Sequence, residues 1–173
     1  MNNAMPPLSS QFSVCMPLRF AMLAAVLASS SIARAQSAGP FDGLEGSWAG
    51  SGSITLSSGA TERLKCAATY VVGGGGDTLQ QTLLCRSDRD SFNLRTEIEN
   101  HNGAIVGNWT ELTRRVQGGI SGRGAKGLIE VTVRGQAFSA AATITTRGAQ
   151  QSFNLRAQSG DVSQVSAMLR RAR

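Results

Sequence analysis

The 173-residue chain contains one histidine, His101, so any metal or catalytic site built on imidazoles has a single imidazole to draw on. His101 falls in an Asn-His-Asn-Gly turn, away from any serine–aspartate pair, and no Ser–His–Asp set assembles around it. Proline is absent after Pro40, and no window keeps a helical period, so the pattern argues against a helical domain. Apolar runs are short, and none reaches the roughly 20 residues that a membrane helix needs. The spacing of the Asp and Glu residues singles out no pair for acid–base chemistry. The sequence therefore leads to the expectation of a non-enzyme with no cofactor and no metal.

The first 35 residues read as an address. Arg19 precedes the apolar run Phe20–Ala28, and small residues follow, ending in Ala33-Arg34-Ala35. This is the order of a secretory signal, with cleavage expected between Ala35 and Gln36 and a periplasmic or secreted product. Either Met1 or Met16 serves as the start, and Cys15 lies before the apolar run without a lipobox. Beyond the signal come a short segment over 36–45 and a domain over 46–173. Without Arg19 and Arg34 the net charge is about +4, spread along the chain, which makes solvated strand faces a better reading than a nucleic-acid patch. Two cysteines remain, Cys66 and Cys85, and an even count in an exported protein favours a disulfide.

From Trp48 onward, short alternating segments are punctuated by Gly, Asn, Asp and Ser, the pattern of an all-β sandwich or barrel. Ten strands are predicted near 46–56, 61–72, 78–87, 91–100, 104–113, 116–123, 127–134, 137–146, 150–158 and 162–170. Pairing Val72 with Leu79 puts Tyr70 against Gln81, Ala68 against Leu83, and Cys66 against Cys85. One register thus gathers an apolar face and brings the two sulfurs within bridging distance. The Asn102-Gly103 turn sets Thr96 opposite Trp109 and Leu94 opposite Glu111. A turn at Gly135-Gln136 pairs Val133 with Phe138, Val131 with Ala140 and Ile129 with Ala142, and one at Gly148-Ala149 pairs Ile144 with Phe153. A meander of this length closes most economically into a barrel, which removes its edges. The opposite face carries Arg63, Lys65, Gln80, Arg86, Arg95, Asn154 and Arg156, and so lacks the apolar outer band of an outer-membrane barrel. Ser91-Phe92-Asn93-Leu94-Arg95 recurs as Ser152-Phe153-Asn154-Leu155-Arg156, at the spacing that separates Trp48 from Trp109. Chance repetition explains this better than duplication.

The run Gly46-Ser47-Trp48-Ala49-Gly50-Ser51-Gly52, followed by ten short strands, resembles the opening of calycin-type barrels: lipocalins and the fatty-acid-binding-like and nitrobindin-like proteins. The resemblance implies that Trp48 plugs one end of the barrel and stacks on an arginine of the last strand, with Arg170 or Arg171 as candidates and Arg170 taken as the pair. Such a contact is worth about 0.5–2 kcal/mol. Nitrobindin-like barrels hold haem through a histidine near the C-terminus, and its absence here argues against haem. A second resemblance is to bacterial inhibitors of secreted metalloproteases, exported barrels with one disulfide that place an N-terminal segment in the protease cleft. Gln36–Leu44 would play that part.

Small residues dominate the expected inward face. The candidate ligand cavity comprises Gly50, Gly52, Ala68, Tyr70, Phe92, Trp109, Glu111, Phe138, Ala140 and Phe153. Ten strands lined in this way leave room for a small hydrophobic molecule, whereas collapsed walls would leave a structural envelope module. Glu111 either orients a polar head group or meets an arginine at the rim, and its place near a strand end favours the rim. Gly73-Gly74-Gly75-Gly76-Asp77 lacks the Lys-Ser/Thr and helix of a phosphate loop and reads as a mobile loop, a lid at the mouth. Asn108-Trp109-Thr110 matches a glycosylation sequon inside a predicted strand. The favoured function is a non-catalytic exported carrier, followed by the protease inhibitor and then the structural module.

Overall fold

A computed structural model describes residues 39–173. The signal segment, its cleavage point and Cys15 lie outside the described residues. Ten antiparallel strands follow one another: β1 (Gly46–Leu56), β2 (Thr61–Gly73), β3 (Thr78–Arg86), β4 (Ser91–His101), β5 (Ala104–Glu111), β6 (Val116–Ala125), β7 (Leu128–Gly135), β8 (Ser139–Arg147), β9 (Gln150–Ser159) and β10 (Val162–Arg171). Each pairs with its neighbours in sequence, and β1 pairs with β10 to close the barrel. Among the described residues no helix is long and apolar enough to cross a membrane.

The hairpin registers follow from face and turn. β2 meets β3 with Cys66 opposite Cys85, and a disulfide joins them across a Cα–Cα distance of 4.1 Å. β4 meets β5 with Thr96 opposite Trp109 and Leu94 opposite Glu111. β8 meets β9 with Ile144 opposite Phe153. The β7–β8 hairpin departs from expectation by two residues: Val133 faces Ala140, Val131 faces Ala142 and Ile129 faces Ile144. The cause is a wider turn, in which the Gly135 N–H donates to the Phe138 carbonyl at 2.8 Å. A shift of two preserves the inward face, so the apolar pattern alone did not expose the error.

Even-numbered side chains of β1 and β2 and odd-numbered ones of β3 and β5 point inward, and Trp48, Leu64, Leu79 and Ile105 are among the most buried. Arg63, Lys65, Gln80, Arg86, Arg95, Asn154 and Arg156 are exposed on the outer wall. Two inward glycines reflect crowding. A Cβ at Gly50 would overlap the Met168 carbonyl, and one at Gly52 the Ser166 carbonyl, so these positions let β1 press close to β10. They do not open the free volume that the small-residue pattern suggested.

Candidate functional site

The two ends of the barrel are built differently. One end gathers the start of β1, the end of β10 and the turns following β2, β4, β6 and β8. Residues 39–45 plug it: Phe41 is 0 % exposed and Leu44 2 %. The Trp48 indole N–H donates to the Leu44 carbonyl at 2.8 Å and meets Tyr70 edge-on at 6.3 Å. The arginine over the Trp48 ring is Arg171, at 4.6 Å, and its guanidinium also donates to the Gly43 and Glu45 carbonyls. This corrects the Trp48–Arg170 pairing: Arg171 lies opposite Trp48 in the ladder, while Arg170 lies opposite Ala49 and points outward.

The glycine loop after β2 also belongs to this closed end. The Phe41 N–H donates to the Gly76 carbonyl at 3.1 Å, and the Asn100 N–H to the Asp77 carbonyl at 2.8 Å. The loop therefore latches the plug and is not a lid at the mouth. The plug also occupies Gly39–Leu44, the residues that a protease-inhibiting segment would need free.

The opposite end gathers the turns after β1, β3, β5, β7 and β9. Here Phe92, Leu94, Val133, Phe138, Leu155, Val162 and Val165 pack against the core yet remain only partly buried. Phe153, nearer the middle of the barrel, shares this half-buried state. Trp109 lies on the same wall, 9 % exposed. Its indole N–H donates to the Arg134 carbonyl at 3.1 Å, and its ring meets Phe138 edge-on at 6.2 Å. The ring lies over Gly118 and Gly135, where an added Cβ would come within 2.7 Å and 3.0 Å of it. These two glycines form its bed. The Asn108-Trp109-Thr110 sequon runs along β5, as its place in the pattern predicts.

A charged collar ties the rim. The Glu111 carboxylate accepts backbone N–H bonds from Asn93 at 2.9 Å, Thr113 at 3.1 Å and Arg114 at 2.6 Å. Burial pushes its pKa up, but these donors outweigh that and hold it below the usual carboxylate value. Drawing Thr113 and Arg114 into this turn also ends β5 at Glu111, two residues earlier than the alternation predicts. Arg114 pairs with Asp90 and stacks over Phe92 at 4.9 Å. The Ser87 hydroxyl donates to Glu62 at 2.6 Å, and Arg89 lies 3.7 Å from the same carboxylate. Glu111 is thus a rim residue whose acceptor capacity is taken up by the turn.

Polar groups also lie inside, beyond the Tyr70 and Glu111 that the sequence pattern places there. The Tyr70 hydroxyl donates to Gln151 at 2.7 Å and accepts from the Gln81 amide at 3.2 Å. Gln151 is 2 % exposed, and its own amide reaches Thr146 at 3.3 Å. Desolvation pushes the Tyr70 pKa up to about 12, against the lesser pull of the two glutamines. Ala68 and Ala140, at 3 % and 0 % exposed, are packed wall and line no open space.

A haem held through histidine does not fit these residues. His101 is exposed at the end of β4, with its Nε2 3.2 Å from Glu99, and the sequence has no other histidine to point inward. Among the described residues no group of three or more His, Cys, Asp or Glu side chains gathers as a metal site.

The barrel has a calycin-like fold, shared with solved structures. Rv2717c from M. tuberculosis superposes with a TM-score of 0.62 at 15 % identity, over 76 % of this chain and 94 % of that one. The S-type phycobiliprotein lyase CPES from Guillardia theta superposes with a TM-score of 0.53 at 10 % identity, over 77 % and 90 %. At such identities the likeness shows the fold. No family model matches the chain, and no curated protein matches it.

Proposed function

We propose that this chain is an exported, non-catalytic carrier that holds a small hydrophobic molecule through the open end of its barrel. One observation carries the reading: a barrel plugged at one end, with Phe41 and Trp48 at 0 % and 1 % exposed, keeps more of its inward apolar side chains half-buried at the other end, Phe92, Leu94, Val133 and Phe138 among them, than at the plugged one, where Val72 and Ile144 share that state. Apolar surface left wet inside a concave wall is the usual mark of a ligand site. The Cys66–Cys85 disulfide fits an oxidising compartment and therefore export. The likeness to Rv2717c and to a phycobiliprotein lyase supports the barrel fold on which this reading rests.

Titration of purified protein with an apolar fluorescent probe tests the reading. Saturable binding with a stoichiometry near one is expected, together with loss of binding when Phe153→Trp or Leu155→Trp fills the lumen. Absence of saturable binding would leave the filled structural module as the better description.

A further inference from the structure

Resting on the carrier reading, we infer that the ligand is an uncharged amphiphile, a long-chain alcohol, amide or ester, whose polar head is held on the barrel wall by Gln81 and Thr96. Tyr70 lies directly opposite Gln81, and Gln81 directly opposite Thr96, so three polar side chains run side by side across β2, β3 and β4. All three share the inward face, below an apolar mouth.

Two of them have bonding capacity to spare. The Tyr70 hydroxyl is used twice, by Gln151 and by Gln81. Gln81 spends one N–H on that hydroxyl, and among the described residues its second N–H and its carbonyl meet no protein partner. The Thr96 hydroxyl likewise makes no side-chain hydrogen bond among the described residues, although Thr96 is only 7 % exposed. Among the described residues no fully buried side-chain polar atom goes without a partner. The Thr96 hydroxyl must therefore face a space that a water molecule can enter. The wall thus offers an amide N–H, an amide carbonyl and a hydroxyl, a set that both donates and accepts.

The wall offers no charge. Glu111 is taken up by three backbone N–H groups, and Arg171, at the sealed end, by Trp48 and two carbonyls. Among the described residues no free cation stands beside Gln81. An ionised carboxylate placed there would be desolvated without a counter-charge, whereas a hydroxyl or carbonyl would find matched partners. The wall favours the neutral head.

Displacement of the apolar probe by an alcohol, a primary amide and a fatty acid of equal chain length separates the possibilities. At about pH 8, where the acid is ionised, the alcohol and amide are expected to compete at least about tenfold better than the carboxylate. The acid should regain ground as the pH falls and its head group is neutralised. Gln81→Leu should abolish the advantage of the alcohol over a hydrocarbon of the same length, each competitor being referred to the variant's own probe affinity. A carboxylate that competes as well as the alcohol, or a Gln81→Leu protein that keeps the preference, overturns the head-group assignment while the carrier reading stands. A probe that never binds removes the carrier reading itself. The ligand series on the unaltered protein decides the matter even if the variant fails to fold.

Discussion

Trp48 and Trp109 sit on inward faces at opposite ends of one barrel, and their surroundings differ where it matters. Each indole N–H donates to a backbone carbonyl, and each ring meets an aromatic partner edge-on near 6 Å. Trp48, however, is roofed by the plug and by Arg171, whereas Trp109 lies on a glycine bed beside half-buried Phe138. Similar local bonding therefore serves a floor at one end and a wall at the other. What separates them is the chain before β1. Residues 39–45 cover one end, and among the described residues no comparable segment covers the other.

The largest effect should come from cutting the floor. Trp48→Ala removes a fully enclosed indole and leaves a cavity under the plug, at a cost of about 3–5 kcal/mol. Trp109→Ala should cost less, about 1–3 kcal/mol, because solvent at the mouth can fill the space. Denaturant unfolding of the two variants measures both. Equal costs would mean that the mouth is packed as firmly as the floor and would break the contrast between the ends.

Glu111 gives the mouth a dependence on pH in the acid range. Its folded pKa lies below its unfolded value, so its contribution is complete above the unfolded pKa, near 4.3, and disappears as pH falls through the folded one. Glu111→Gln should cost about 1–3 kcal/mol at neutral pH, since three backbone donors lose an ionised acceptor. The difference from the unaltered protein should shrink towards zero in acid. Stability curves at neutral pH and at low pH would show it, and a cost that persists unchanged in acid would mean that the carboxylate's charge is irrelevant to the turn.

Much of this architecture could be read from the residues, because strand faces and turns are local. The Asn102-Gly103 turn and the Cys66–Cys85 register follow from a few neighbouring residues and hold in the structure. The β7–β8 register differs from the expected one because a wider turn shifts it by two residues while keeping the same inward face. Non-local features escaped. Phe41 and Leu44 belong to a segment with no strand period, so their burial as a plug left no pattern to detect. Gln151 bonds to Tyr70 across the closed end, over a long stretch of sequence, and nothing near either residue announces the pair. Gly50 and Gly52 misled for a different reason: an inward glycine looks the same in sequence whether it yields room or admits a neighbouring strand.

The smallest effect is also the most discriminating test of how the floor is held. Arg170 and Arg171 are adjacent and chemically identical, so the sequence gives little ground for choosing between them. Strand alternation sends one outward and the other over Trp48. Arg171→Ala forfeits the cation–π contact, about 0.5–2 kcal/mol, together with its two bonds to the plug backbone. Arg170→Ala, on the outer wall, should fall within about 0.5 kcal/mol of the unaltered protein. Thermal unfolding of the two single variants measures the gap. If they behave alike, the burial of Phe41 and Leu44 and the bonds from Trp48 and the glycine loop hold the plug, and the guanidinium over Trp48 is a passenger. If Arg171→Ala alone loosens the protein, the C-terminal strand clamps the N-terminal segment, and the sealed floor depends on both termini of the domain.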